Sequence, residues 1–207
     1  MTTRFISKSV PLVLGVCLIF GVGAGRAEPQ PRELVAQTAD KMMAKLKEEK
    51  EVIKQQPDKV YDLVNEIVLP NFDFELMAKR VLGKYWRTAT DKQRAEFIGA
   101  FRGVLVRTYA NRLTEYTEYK INYLPSRPDP EPDKATVRSE IDQPGRTPVA
   151  VDYRLILNGQ TWKVFDVAIE GVSLVTNYRS SYANEIDRSG LDSLIEKLNK
   201  KAEVAQK

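Results

Sequence analysis

The chain reads as an α+β protein in which helices cover a four-stranded antiparallel sheet. Three observations predict this. Up to about residue 116, apolar residues recur at three- and four-residue spacings. From Tyr119 they alternate with period two around Asn158-Gly159, and beyond Gly171 the helical spacing returns. The helical part spans about 30–116 and the sheet-plus-helix part about 117–200, within a single domain.

Each element has its own signals. Residues 32 to about 53 carry Leu34, Val35, Ala39, Met42, Met43 and Leu46, the pattern of a charged amphipathic helix. Pro57 suits the first turn of a second helix running to Leu69 and stopped by Pro70. Asn71 or Asp73 can cap a third, with Phe74, Met77 and Val81 on one face and Gly83 just past its end. Thr90 and Gln93 form a capping box for a long fourth helix, about 91–116. Its ridge is Phe97, Phe101, Leu105, Tyr109 and Leu113. Strands at 119–124 and 136–141 then flank a Pro-rich loop.

Residues 148–157 and 161–169 flank Asn158-Gly159, a dipeptide suited to a two-residue type I′ hairpin. Such a turn places Leu155 opposite Trp162, Tyr153 opposite Val164, Val151 opposite Asp166 and Val149 opposite Ala168. All then share one face, apolar and aromatic apart from one carboxylate. Gly171 permits an abrupt exit from the strand. Leu174, Val175, Tyr178, Tyr182 and Ile186 continue as an amphipathic helix ending near Gly190, so the helices are expected on one face of the sheet. A short helix, 191–198, and a polar tail complete the chain.

The N-terminus has the form of a secretory signal. Arg4 and Lys8 precede an apolar run to about Ala24, and Gly25 and Ala27 supply small residues at a cleavage site after residue 27. The run is shorter than the ~20 residues a spanning helix needs. Cys17 raises a lipoprotein reading, but Val16 is a poor neighbour for a lipidated cysteine. Removing 1–27 takes away three positive charges and no acid, so the formal charge falls from +4 to +1. It also takes the chain's single cysteine, and there is no histidine at all. A mature chain of about 180 residues, 28–207, thus has no disulfide, thiol nucleophile, imidazole base or Cys/His metal site. Basic and aromatic residues alternate from Lys79 to Arg87, as on a single-strand nucleic-acid surface. For an exported chain of near-zero charge, a solvated positive face at Lys79, Arg80, Lys84 and Arg87 is the commoner reading, lipid phosphates or an anionic partner surface are the functional alternatives, and no nucleic-acid partner is expected.

Two runs carry a family resemblance: LPNFDFELMAKRVLGKYWRTATDKQRAEFIGAFRGVLVRTYANRL, from Leu69, and DVAIEGVSLVTNYRSSYANEI, from Asp166. Both resemble signatures of the MlaC family, also called toluene-tolerance or Tol-Ttg2 auxiliary proteins. The resemblance spans nearly all of the mature chain. It implies a fold that is NTF2-like in outline and a periplasmic carrier that moves phospholipids between two membranes to maintain outer-membrane lipid asymmetry. It also implies partners: an inner-membrane ABC transporter with an MCE-domain subunit and an outer-membrane lipoprotein–porin complex. A monomer without cofactor or metal, with phospholipid as bound ligand and no enzymatic role, is the expectation.

Hydrophobic periodicity alone does not distinguish a filled core from a pocket. The resemblance implies the pocket, with the helix ridge (Phe97, Phe101, Leu105, Tyr109) as one wall and the hairpin face (Val151, Tyr153, Val164) as the other. Val172, Leu174 and Tyr178 close it where the hairpin meets its helix. Asp166, Glu170 and Gly171 are expected to lock that turn. Three alternatives remain at this stage: a carrier of another hydrophobe such as a sterol-like lipid or solvent, a small enzyme using Asp166 as a base, and an adaptor with a solid core.

Overall fold

The computed structural model describes residues 30–114, 119–125 and 129–204. The expected signal, and the expected end of the long helix at Tyr116, lie outside these residues. Helix α1 (Pro31–Glu48) begins with proline in its first turn and buries Val35, Met42 and Leu46. The expected continuation to residue 53 is interrupted at Glu49 and resumes as α2 (Lys50–Gln55). The next helix starts at Lys59, two residues past Pro57. It runs as α3 (Lys59–Leu63), widens into a π turn (Val64–Val68) and tightens into a 3₁₀ turn (Leu69–Asn71) that contains Pro70.

Asp73, not Asn71, caps α4 (Phe74–Leu82), its carboxylate accepting the Leu76 N–H at 2.8 Å. A short α5 (Tyr85–Thr88) leads to α6 (Asp91–Leu113), where Thr90 and Gln93 complete both bonds of the capping box. Two helices end the chain: α7 (Leu174–Ser189), capped by Ser173, and α8 (Leu191–Val204), longer than the expected 191–198. Helix α8 lies so close to α6 that a Cβ on Gly103 would stand 3.1 Å from the Cβ of Ala202.

The sheet is an antiparallel meander in the order β1 (Lys120–Tyr123), β2 (Lys134–Asp142), β3 (Val149–Asn158), β4 (Thr161–Ile169), β5 (Val172–Ser173). The fifth, two-residue strand adds to the four expected. It arises because Glu170 and Gly171, at φ +50° and +76°, turn the chain back in two residues.

The β3–β4 hairpin departs from its expected register twice. Asn158 pairs with Thr161, so the loop is Gly159-Gln160 with Gly159 at φ +65° and Gln160 outside the left-handed region. These φ signs are those of a II′ turn rather than I′. Leu155 therefore faces Val164 and Leu157 faces Trp162. A β-bulge at Phe165 then shifts the register again: Arg154 faces Asp166, Tyr153 faces Val167, Asp152 faces Ala168 and Val151 faces Ile169. Because side chains alternate, Asp166 and Ala168 move to the face opposite Val164.

Helices consequently cover both faces of the sheet, not one. On the first face Val35 of α1 is buried against Val137, Leu155 and Val164. On the second, Phe165 joins a core made by α4, α6, α7 and α8. A third cluster links α1, α3 and the C-terminal half of α6 through Met42, Leu46, Val60, Ile67, Val106 and Ala110. The helical core on the second face is closed by aromatic contacts. Phe97 and Phe101 are wholly buried, stack with ring centroids 5.7 Å apart, and meet Tyr182 edge-on. Phe101→Ala should cost about 3–5 kcal/mol in urea unfolding of lipid-free protein, and added phospholipid should stabilise the variant as much as the parent. A smaller lipid-induced stabilisation of the variant than of the parent would mean that Phe101 lines the ligand's site.

Candidate functional site

The first face of the sheet is built from alternate residues of four strands. Tyr123 of β1 stands opposite Ser139 of β2, which stands opposite Val151 of β3; Val137 stands opposite Tyr153. Leu155 and Val164 follow, and Trp162 and Val167 complete the surface. Leu155, Val137 and Val164 are buried beneath α1, whereas Tyr123, Tyr153, Trp162 and Val167 are only half-buried. A large apolar and aromatic surface thus has one helix over part of it, with Leu34 and Val35 as its apolar contacts. Burial raises the pKa of both Tyr123 and Tyr153 above the ordinary 10.0, so both phenols are neutral at physiological pH.

Asp166 lies on the opposite face and is nearly inaccessible. Its carboxylate accepts from Arg154 Nη1 at 3.1 Å, Ser173 Oγ at 2.7 Å and the Val175 N–H at 3.1 Å. Ser173 Oγ in turn accepts the Thr176 N–H at 3.0 Å, so one carboxylate holds β4, β5 and the first turn of α7 together. Glu170 is fixed beside it, its N–H donating to the Ala150 carbonyl at 2.9 Å and its carboxylate accepting the Ala150 N–H at 2.5 Å. A base needs a free oxygen aimed at a substrate. The Asp166 oxygens are engaged by structural donors instead. Among the described residues, no three His, Cys, Asp or Glu side chains gather where they could hold a metal ion.

The expected pocket residues fall into separate places. Val151, Tyr153 and Val164 share the first face. Phe97, Phe101, Leu105 and Tyr178 belong to the helical core on the other side of the sheet. The two walls expected to face each other are therefore back to back, because the α6 ridge packs on α7 and α8 rather than on the hairpin. Tyr178 meets Phe101 edge-on at 5.4 Å, and burial pushes its hydroxyl up to about 12, with Tyr109 close by. Leu174 is half-buried at the start of α7, and Val172, on the short edge strand, is 57% exposed and walls no interior. Tyr123, Val137, Leu155, Trp162 and Val167 complete the first face and were not among the expected lining. Alternation in 120–123 and 134–142 was the available signal for Tyr123 and Val137, while Leu155 and Trp162 already stood on the expected hairpin face.

The positive residues of 79–87 are surface features. Arg80 lies 4.1 Å above the Phe165 ring, and Lys84 approaches Asp187 at 3.7 Å. Replacing Asp166 tests the structural knot directly. Asp166→Ala leaves the buried Val175 N–H without its acceptor and should cost about 1–3 kcal/mol. Asp166→Asn, which keeps one acceptor oxygen, should cost less. Denaturant unfolding of both variants measures the difference; equal stability to the parent would contradict a structural role.

The family model described as MlaC protein matches residues 36–200. The chain is 27% identical over 179 residues to the intermembrane phospholipid transport system binding protein MlaC of Haemophilus influenzae, covering 85% of this chain and 84% of that one. It is 30% identical over 167 residues to toluene tolerance protein ttg2D of Pseudomonas putida, covering 80% and 77%. Among solved structures, it resembles the phospholipid-binding protein of Ralstonia solanacearum in complex with a phospholipid. That match has a TM-score of 0.79 and 28% identity, over 86% of this chain and all of that one. With the family model matched over most of its length and its two signature runs within that match, the chain belongs to the MlaC family.

Proposed function

We propose that the mature chain, residues 28–207, is a periplasmic carrier that holds a phospholipid with its acyl chains against the first face of the sheet, beneath α1. The observation that carries this reading is the agreement in fold, over 86% of this chain, with a relative in complex with a phospholipid. A broad apolar sheet face, left half-buried here, supports placing the acyl chains on it. Val151, Tyr153 and Val164 from the expected set, with Leu155, Trp162 and Val167, form the sheet-side wall. The name of the Haemophilus influenzae relative, an intermembrane phospholipid transport system binding protein, supports the wider role of passing lipid between membranes. An ABC transporter with an MCE-domain subunit and an outer-membrane lipoprotein–porin complex are the proposed partners.

The physical requirement for such a site is severe. Exposing the ~14 methylenes of one acyl chain to water costs roughly 11 kcal/mol at ~0.8 kcal/mol per CH₂, and two chains about twice that. A carrier must replace the bilayer's apolar contacts almost completely, without exceeding them, or it would never release. An apolar sheet face under a single helix provides the contacts, and a separate helical core keeps the protein folded when the lipid leaves. Carriage makes and breaks no covalent bond, in keeping with a mature chain that has no histidine or cysteine and a buried aspartate committed to structure.

Native mass spectrometry of protein recovered from the periplasm without detergent tests this. The expected mass is that of a chain beginning at Glu28 plus phospholipid. Tyr153→Ala should lower the lipid-bound fraction and lose stability that added phospholipid partly restores, because a ligand stabilises only the folded state. Lipid-free protein that takes up no phospholipid from vesicles would overturn the proposal.

A further inference from the structure

Tyr123 presents an unusual group on the proposed lipid face. Its hydroxyl is out of reach of solvent and has no hydrogen-bond partner among the described residues. Buried tyrosine hydroxyls almost always find a partner, and one left without pays the full loss of its water contacts. Its neighbours do not bond it: the Asp40 carboxylate acts on it only through its charge, which with burial holds the phenol protonated. Ser139, directly opposite on β2, donates its hydroxyl proton to the Val151 carbonyl at 2.9 Å. Tyr153 lies on the same face with Ser139 as its neighbour. Among the described residues the other buried side-chain polar atom without a bond, Nη1 of Arg107, is accounted for: that guanidinium lies 4.0 Å above the Tyr61 ring and 3.7 Å from Asp58.

The surroundings of Tyr123 are graded. Toward the middle of the face stand Val137, Leu155 and Val164, all apolar and buried. Above the Tyr123 ring, at 5.9 Å, lies the exposed guanidinium of Arg32 from the first turn of α1. Apolar floor, neutral phenol donor and cation at the rim follow the order of chemistry along a glycerophospholipid: acyl chain, ester carbonyl, phosphate. Burial keeps the phenol protonated, so it is a donor at any physiological pH. An ester carbonyl is an acceptor only, and the interior is where such a bond is strongest.

Resting on the phospholipid reading above, we propose that the Tyr123 hydroxyl donates a hydrogen bond to an ester carbonyl of the bound lipid, so that the site selects ester-linked diacyl phospholipids over ether-linked dialkyl ones. The ether oxygen that replaces the ester leaves no carbonyl to accept the proton. The rejected lipid therefore offers the hydroxyl only a recessed ether oxygen, displaced from where the carbonyl would stand, and an under-satisfied polar group in an apolar site is what gives polar sites their discrimination.

The experiment offers the mature protein vesicles containing equal amounts of diacyl and dialkyl phosphatidylglycerol of matched chain length, and reads the ratio of bound lipids by mass spectrometry. The parent protein should enrich the diacyl lipid about three- to tenfold, as expected for one hydrogen bond of ordinary worth. Tyr123→Phe should bring the ratio to near one while still loading lipid, and should leave the lipid-free protein at least as thermally stable, since it removes an unsatisfied hydroxyl. Equal uptake of both lipids by the parent, or an unchanged ratio in Tyr123→Phe, overturns the assignment of Tyr123 and leaves phospholipid binding standing. Uptake of neither lipid by the parent overturns the carrier reading itself, and this assignment with it.

Discussion

One extra residue in β4 governs the arrangement of this protein. With Phe165 inserted as a bulge, Val164 and Val167 remain on the face that carries Tyr153 and Leu155, while Asp166 turns to the other side. Without it, the carboxylate would sit in the middle of an apolar surface, where an ionised group is costly unless paired. With it, Asp166 reaches Ser173 and Val175 and anchors the first turn of α7. The same residue shift thus makes one face of the sheet fit for an apolar ligand and attaches the helical core to the other.

The two faces then do different work. The second face joins a core of Phe97, Phe101, Tyr182, Ile186 and Leu198 from three helices, closed by aromatic contacts. The first is half-covered, with Val35 as the one buried contact from α1. The proposed carrier, which must survive both loaded and empty, would need such a division. If a single core served both purposes, losing the lipid would leave a cavity in the structure that holds the fold together, with a cost that grows with cavity volume.

Much of the fold was legible in the sequence because its signals are local. The capping box of Thr90 and Gln93 and the cap of Asp73 are written within four residues. The hairpin, the greasy face containing Val151, Tyr153, Leu155, Trp162 and Val164, and the helix after Gly171 follow from periodicity. What was not legible depends on distant residues. The Asp73 N–H donates to the Val164 carbonyl at 2.8 Å, Phe72 bridges to Val164, and Lys163 reaches the Pro70 carbonyl at 2.6 Å. A segment ninety residues upstream therefore borders β4 beside its bulge, and nothing within the strand announces it. Likewise the ridge Phe97, Phe101, Leu105 and Tyr109 records that α6 needs an apolar partner without saying which. The choice of α7 and α8 over the hairpin is made by tertiary packing, including the close approach allowed at Gly103.

The chain's two tryptophans stand on opposite sides of this division and make it measurable. Trp162 borders the first face of the sheet, and Trp86 packs against the helical core. Loading Trp86→Phe and Trp162→Phe variants with phospholipid brominated along its acyl chains reports which indole the chains approach, because bromine quenches fluorescence only at close range. Strong quenching when Trp162 is the remaining indole, with little when Trp86 remains, is the expected result. Quenching of Trp86 with Trp162 unaffected would place the lipid in the helical core and contradict a binding surface on the sheet.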